Sequence, residues 1–260
     1  METAFAAIGI EIPNKTAFHN LAEDVGRRGE ATILHRPDGV LHGRCLKLGK
    51  GLEVWTFFYE SGKGKVVYAD CRPAFRARYL QKISPWILSE FAEEGRATIH
   101  GFIENSEIEV LFDLQNLTEV GVVENQSLCV GLCGLASDAE IIEENALPFW
   151  RSYDESALNV QQNENDWSLG GKVLAFEIIR NPHSGKDLFW VYVDVGGFQI
   201  EILVNQRAID SQALRVGKFI RAEIWLQGHI INNPNRRFGY EGIDWSVNPI
   251  NYWKNLRKPN

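Results

Sequence analysis

The sequence predicts an α+β fold that is predominantly antiparallel β. Three observations carry this expectation. Four apolar and partly alternating runs, at 173–179, 188–195, 198–204 and 218–226, read as half-buried and buried strands. Turn-forming residues divide them: Asn181-Pro182-His183-Ser184-Gly185 follows the first run, and Gly196-Gly197 offers the positive-φ tolerance of a tight hairpin after the second. In the first half of the chain, two successive segments each read as a strand, a helix and further strands, a βαβββ order.

Taken in order, residues 5–12 predict a strand, and Thr16 is placed to cap a helix in which Phe18, Leu21, Ala22 and Val25 share a face. Strands follow at 30–35, 40–48 and 52–60, set apart by Pro37-Asp38-Gly39 and Gly49-Lys50-Gly51. The second unit opens with a strand at 65–71. Its helix has Ser84 as N-cap and Pro85 at the first helical position, with Ile87, Leu88 and Phe91 on one face and Gly95 as the stop. Strands at 96–104 and 107–114 form a hairpin over Asn105-Ser106, and 126–134 supplies the last strand. Ser137-Asp138-Ala139-Glu140 has the pattern of a capping box, which predicts a further helix ended by Pro148. The polar run from Gln161 to Asp166 marks a linker. The expected organisation is therefore 1–150, an α+β domain of two βαβββ-like units plus a helix; 151–170, a polar linker; and 171–260, a small β-barrel with an aromatic-rich C-terminal tail. Within that barrel, Asn205 is placed to cap a short helix carrying Ile209, Ala213 and Leu214.

The order of three antiparallel strands, a helix and a strand resembles the OB-fold over roughly the last third of the chain. The resemblance implies a small Greek-key barrel whose face binds oligonucleotide, oligosaccharide or protein. For the fifth strand of such a barrel, the chain after residue 231 offers the turn Asn232-Asn233-Pro234-Asn235 and then the short segment 236–240. The two βαβββ units resemble the vicinal oxygen chelate family, the glyoxalase-like proteins, over about half the chain. That resemblance implies a sheet curled around a small-molecule site, with a divalent metal held by His, Gln or Glu side chains of the first and last strands of each module. Here those strands offer Glu11, Glu53, Asp70 and Glu124, with no histidine among them. Carboxylates on strands are equally what solvent-facing edges look like.

Charge distribution bears on the partners. Residues 119–166 hold ten acids against Arg151 alone, so this segment carries −9 of a net charge of −7 and the remainder sums to +2. Nucleic-acid binding requires a basic footprint that neutralises phosphates. The only basic concentrations, Arg72 to Arg78, Arg236-Arg237 and Lys254 to Lys258, are small, which argues against nucleic acid. The N-terminal METAFAAIGIEIPN lacks the basic flank and apolar run of a secretory signal, and no stretch approaches the roughly 18 apolar residues of a membrane span. A cytoplasmic protein is expected. Cys129 and Cys133 fall on one face of an apolar strand without a second ligand pair, so Cys45, Cys71, Cys129 and Cys133 read as reduced thiols.

Catalytic signatures are missing. Ser61-Gly62-Lys63-Gly64-Lys65 lacks the spacing of a phosphate-binding loop, and neither a Gly-x-Ser-x-Gly elbow nor a His-Glu-x-x-His pair occurs. Aromatic residues instead concentrate in the barrel and tail. The expected function is therefore non-catalytic binding or assembly through a protein partner or self-association, with Trp190, Tyr192, Trp225, Trp245 and Trp253 as contact residues. A glyoxalase-like metal enzyme is the alternative, and only under it is a divalent metal cofactor implied. A second alternative is single-stranded nucleic acid stacked on Trp190, Tyr192 and Trp225.

Overall fold

Thirteen strands and three α-helices make up the computed structural model, which describes residues 2–120, 127–142, 146–152 and 166–231. The chain opens with two helices, α1 (Glu2–Ala7) and α2 (Lys15–Arg28). The strand expected at 5–12 is thus replaced by a helix and the turn after it. Ala4-Phe5-Ala6-Ala7 is rich in the best helix former, and Gly9, at φ 78°, reverses the chain behind it. The cap of α2 is Asn14 rather than Thr16: its side chain accepts the Ala17 N–H at 2.9 Å. The buried face of α2 carries Leu21, Ala22 and Val25, as its spacing predicts.

A four-stranded antiparallel sheet follows as a meander of β1 (Glu30–Arg36), β2 (Gly39–Gly49), β3 (Leu52–Ser61) and β4 (Val66–Phe75). Strand β3 is buried on both faces. Trp55 and Phe57 join one hydrophobic core, while Leu52, Val54 and Phe58 join a second, which also receives α1 and α2.

The remaining strands form one mixed sheet: β5 (Gln81–Phe91), β6 (Arg96–Ile103), β7 (Glu109–Leu114), β8 (Leu128–Ile142), β9 (Phe149–Ser152), β10 (Asp166–Arg180), β11 (Asp187–Asp194), β12 (Gln199–Asn205) and β13 (Phe219–Ile230), with α3 (Leu117–Val120) between β7 and β8. Two helices expected here are strands. Residues 84–91 belong to β5 and pair with β6, and Pro85 is accommodated beside a β-bulge. Residues 137–142 continue β8, whose pairing with β13 outweighs the local capping pattern; the Ser137 hydroxyl donates to Glu223 O at 3.2 Å instead. Nor does Asn205 start a helix. Its side chain accepts the Arg207 N–H at 2.8 Å in a local turn and donates to Ala6 O. Neither half of the first 135 residues therefore has the βαβββ order, the first unit lacking its leading strand and the second its helix.

The pairings close twice. Strands β10, β11, β12, β8 and β13 form a ring, with β12 parallel to β8 and every other neighbour antiparallel. Strands β5, β6, β7, β13 and β8 form another, with β7 parallel to β13. The two rings share the β8–β13 ribbon, and their halves follow one rule. In each half the first strand of a three-stranded meander pairs with that half's own long strand, and the third pairs with the long strand of the other half. The place left for residues 236–240 is thus taken by β8, from upstream of the polar run. Residues 236–240 and 153–165 lie outside the described residues. The expected boundary at 151–170 falls within this sheet, since β10 begins at Asp166 and β8 pairs with β13 across it, and one core runs through both rings.

Candidate functional site

Three of the four carboxylates expected to hold a metal, Glu11, Glu53 and Asp70, are each engaged by cationic side chains of their own. Glu53 on β3 is 3% exposed and accepts from Arg76 Nε at 2.6 Å and from the Trp55 indole at 3.0 Å. Arg76 in turn reaches Glu119 at 2.7 Å. Asp70 on β4 accepts the Cys71 N–H at 2.8 Å and faces Arg72; burial pushes its carboxyl above the usual range, against the pull of that guanidinium. Glu11 follows α1 and pairs with Lys186 and Arg207, and the Lys186 contact holds its carboxyl below the ordinary value. Glu124 lies outside the described residues. Among the described residues, no group of three or more His, Cys, Asp or Glu side chains is placed to hold a metal ion.

Of the aromatic residues expected at a contact surface, Trp190, Tyr192 and Trp225 pack against other parts of the described chain. Phe189 and Val191 of β11 point into their ring, so alternation turns Trp190 and Tyr192 outward. That outer face is sealed by the chain between β4 and β5. Tyr79 stacks on Tyr192 at 4.3 Å, the Arg78 guanidinium lies 4.4 Å over the Trp190 ring, and the Tyr79 N–H donates to Glu201 at 2.7 Å. Trp190 is consequently 4% exposed. Trp225 is likewise tied down, donating its indole N–H to Asp113 at 2.7 Å. Trp245 and Trp253 lie outside the described residues.

A different apolar surface is open. The β5–β6 register shifts between Pro85 and Ile87, which makes Trp86 the bulged residue and turns its ring outward. Trp86 is 63% exposed and Phe102 36% exposed, with their rings stacked at 6.3 Å and His100 5.2 Å from Trp86. His100 bonds Glu109 on β7, and Ile87, Leu88 and Phe91 extend the apolar surface along β5. The strand also offers backbone. Its first edge pairs with β6 from Ile83 to Phe91, whereas its second pairs with β8 only from Gln81 to Ile83. Beyond Ile83, no strand among the described residues pairs with that second edge, which runs beside exposed hydrophobic side chains. The combination suits an added strand, whose backbone bonds the edge while its side chains cover the rings.

Sequence reasoning missed this surface because Ser84-Pro85 resembles a helix start, which assigned Ile87, Leu88 and Phe91 to a buried face. The signal available was Pro85 itself, which biases the residue before it towards extended backbone.

An open cleft of about 530 Å³ lies between the turn after α1 and the end of β12, lined by Ile12, Ser137 and Asn205 with Glu11 and Arg207. Its two charged groups are paired to each other at 3.2 Å. Among the described residues, no helix is long and apolar enough to cross a membrane. Comparison with protein families, with curated proteins and with solved structures finds no match to this chain.

Proposed function

We propose that this chain is a non-catalytic binding or assembly protein whose contact surface is the outer face and free edge of β5, not the aromatic residues of β11 and β13. In this reading the ring of β10 to β13 with β8 is an OB-like barrel whose fifth strand is supplied from upstream. The observation that carries the reading is the exposed Trp86, set in a bulge beside a strand edge that no strand among the described residues covers beyond Ile83. Covering a side chain of this kind is worth about 1.5–3 kcal/mol, so Trp86, Ile87 and Phe102 together offer the affinity of a specific contact. The partner that fits is an extended protein segment that adds as a strand. The charge around the surface supports protein over nucleic acid, because residues 81–109 carry six acids against Lys82 and Arg96.

The test is a comparison of the full-length protein with its Trp86→Ser/Phe102→Ser variant. Solution mass across a concentration series and binding to a library of extended peptides are measured for both. Loss of self-association or of peptide binding in the variant is expected. Identical masses and identical peptide binding would remove the proposed surface.

A further inference from the structure

We propose that the cleft between the turn after α1 and the end of β12 binds a small monocarboxylic acid with an apolar body, independently of the β5 surface. Its walls come from three stretches far apart in sequence: Glu11 to Pro13, β8 at Ala136 and Ser137, and the turn after β12. Bonds within the chain fix their separation. The Asn205 side chain donates to Ala6 O at 2.8 Å and accepts the Arg207 N–H at 2.8 Å, which ties α1 to β12 and holds the backbone of Arg207 at the rim. The Asn181 amide secures the same turn by donating to Ile8 O at 2.6 Å. On β8, the register with β13 shifts between Glu223 and Ile224, so Ser137 is the extra residue of a bulge and lines the cleft. The walls are thus built by the fold itself, and their volume of about 530 Å³ lies within the range of small-molecule sites.

Charge selects the ligand. Glu11 is the carboxylate of the cleft, and two cations share its Oε1: Lys186 by direct contact and Arg207 Nη1 at 3.2 Å. The three groups sum to +1. Lys186 is the principal partner, since it holds the Glu11 carboxyl below the ordinary value while Arg207 contributes least. The Arg207 side chain is 83% exposed, and Glu11 is its one side-chain partner among the described residues. A guanidinium with free N–H groups suits a carboxylate in two-point contact. Apolar surface lies beside it, because Ala6, Ile12, Pro13, Ala136 and Ala208 make up most of the remaining lining. A carboxylate on Arg207 with a hydrocarbon or aromatic body against Ile12, Pro13 and Ala208 uses both features. A sugar would set its hydroxyls against that apolar lining, and a cation would meet the surplus positive charge.

The experiment titrates hexanoate and phenylacetate into the full-length protein, with acetate and hexanamide as controls, and follows the melting temperature and the backbone amide NMR signals. Both acids at millimolar concentration should raise the melting temperature and move the signals of Glu11, Ile12, Ser137 and Ala208. Acetate lacks the body and hexanamide lacks the charge, so each should bind about tenfold more weakly or not at all. In Arg207→Gln the Kd for hexanoate should rise about tenfold, while the exposed position leaves the melting temperature without ligand unchanged. Equal affinity in parent and Arg207→Gln, an equal response to hexanamide, signals that move only elsewhere in the chain, or no response to either acid overturns the proposal. Tighter binding of N-acetyl-alanyl-leucine than of hexanoate would give the cleft to a peptide terminus, which also overturns it. The Trp86→Ser/Phe102→Ser variant should bind hexanoate as the parent does, so the cleft and the β5 surface stand or fall separately.

Discussion

Trp190 donates its indole N–H to Glu201 at 2.5 Å, and both residues are buried on the outer face of the β11–β12 pair. Glu201 also accepts the Tyr79 N–H, so one carboxyl group joins the strand ring to the chain crossing between the two sheets. Burial pushes that carboxyl above its ordinary value, although the bonds from Trp190 and Tyr79 pull the other way. Replacing it with an apolar residue leaves two buried donors without an acceptor. Glu201→Leu should cost about 3 kcal/mol and Glu201→Gln, which keeps one acceptor, about 1 kcal/mol. Urea denaturation measures both; equal stabilities for the two variants would contradict the assigned role.

His229, on β13, sets an acid limit on stability. Its ring faces Gly131 of β8, where an added Cβ would approach within 2.3 Å, and burial, aided by the charge of Arg76, lowers its pKa to about 4. The unfolded chain protonates this residue near 6.5 while the folded state resists until about 4. Stability from the neutral ring is therefore complete above pH 6.5 and falls as the pH drops towards 4, by roughly 3 kcal/mol in all. Unfolding free energies of wild type and His229→Gln from pH 7.5 to 4 test this, and the variant should lose most of that slope.

Added metal should not stabilise the protein. Glu53 and Asp70 are each engaged by an arginine, and ligation would require breaking those pairs. The melting temperature should stay the same with EDTA and with zinc or manganese at micromolar concentration. A rise with either metal would restore a metal centre to consideration.

Arg76→Met should be among the most damaging single changes on the four-stranded side. It leaves Glu53 buried beside an apolar side chain, an uncompensated charge that costs about 3–5 kcal/mol. The double variant Arg76→Met/Glu53→Gln should recover part of this loss. Equal melting temperatures for the single and double variants would show that the pair is not coupled.

Trp86→Ser, by contrast, should change stability by no more than about 0.5 kcal/mol, because an exposed surface position contributes little to the core. A loss of several kcal/mol in thermal denaturation would place Trp86 in the packing and not on a contact surface.

Most strands of the meanders were legible because their signals are local. Alternation and the turns at Gly49-Lys50-Gly51, Asn105-Ser106 and Gly196-Gly197 mark β2, β3, β6, β7, β11 and β12 within a residue or two. What failed depended on distant partners. Ser84-Pro85 and Ser137-Asp138-Ala139-Glu140 are sound helix starts in isolation, yet β6 and β13 supply backbone partners that hold both stretches extended. The pairing of Glu201 with Cys133, which brings β8 into the second ring, joins residues too far apart in sequence for any periodicity to report. The buried role of Trp190 was hidden for the same reason, since alternation places it outside its ring, where the crossing segment at Arg78 and Tyr79 packs over it.

The shared β8–β13 ribbon means that neither ring can be completed from its own half of the sequence. Cutting the chain in the polar run would leave each fragment with a meander and a long strand but no strand to close the gap between them. Partial unfolding of one ring withdraws a wall from the other, which favours a single all-or-none transition over two separate ones. Long-range closure of this kind also makes folding slow relative to a chain of local hairpins, because most of the loop entropy is lost before the ribbon forms. Fragments meant to isolate either half should therefore be unstable alone and regain structure only when mixed.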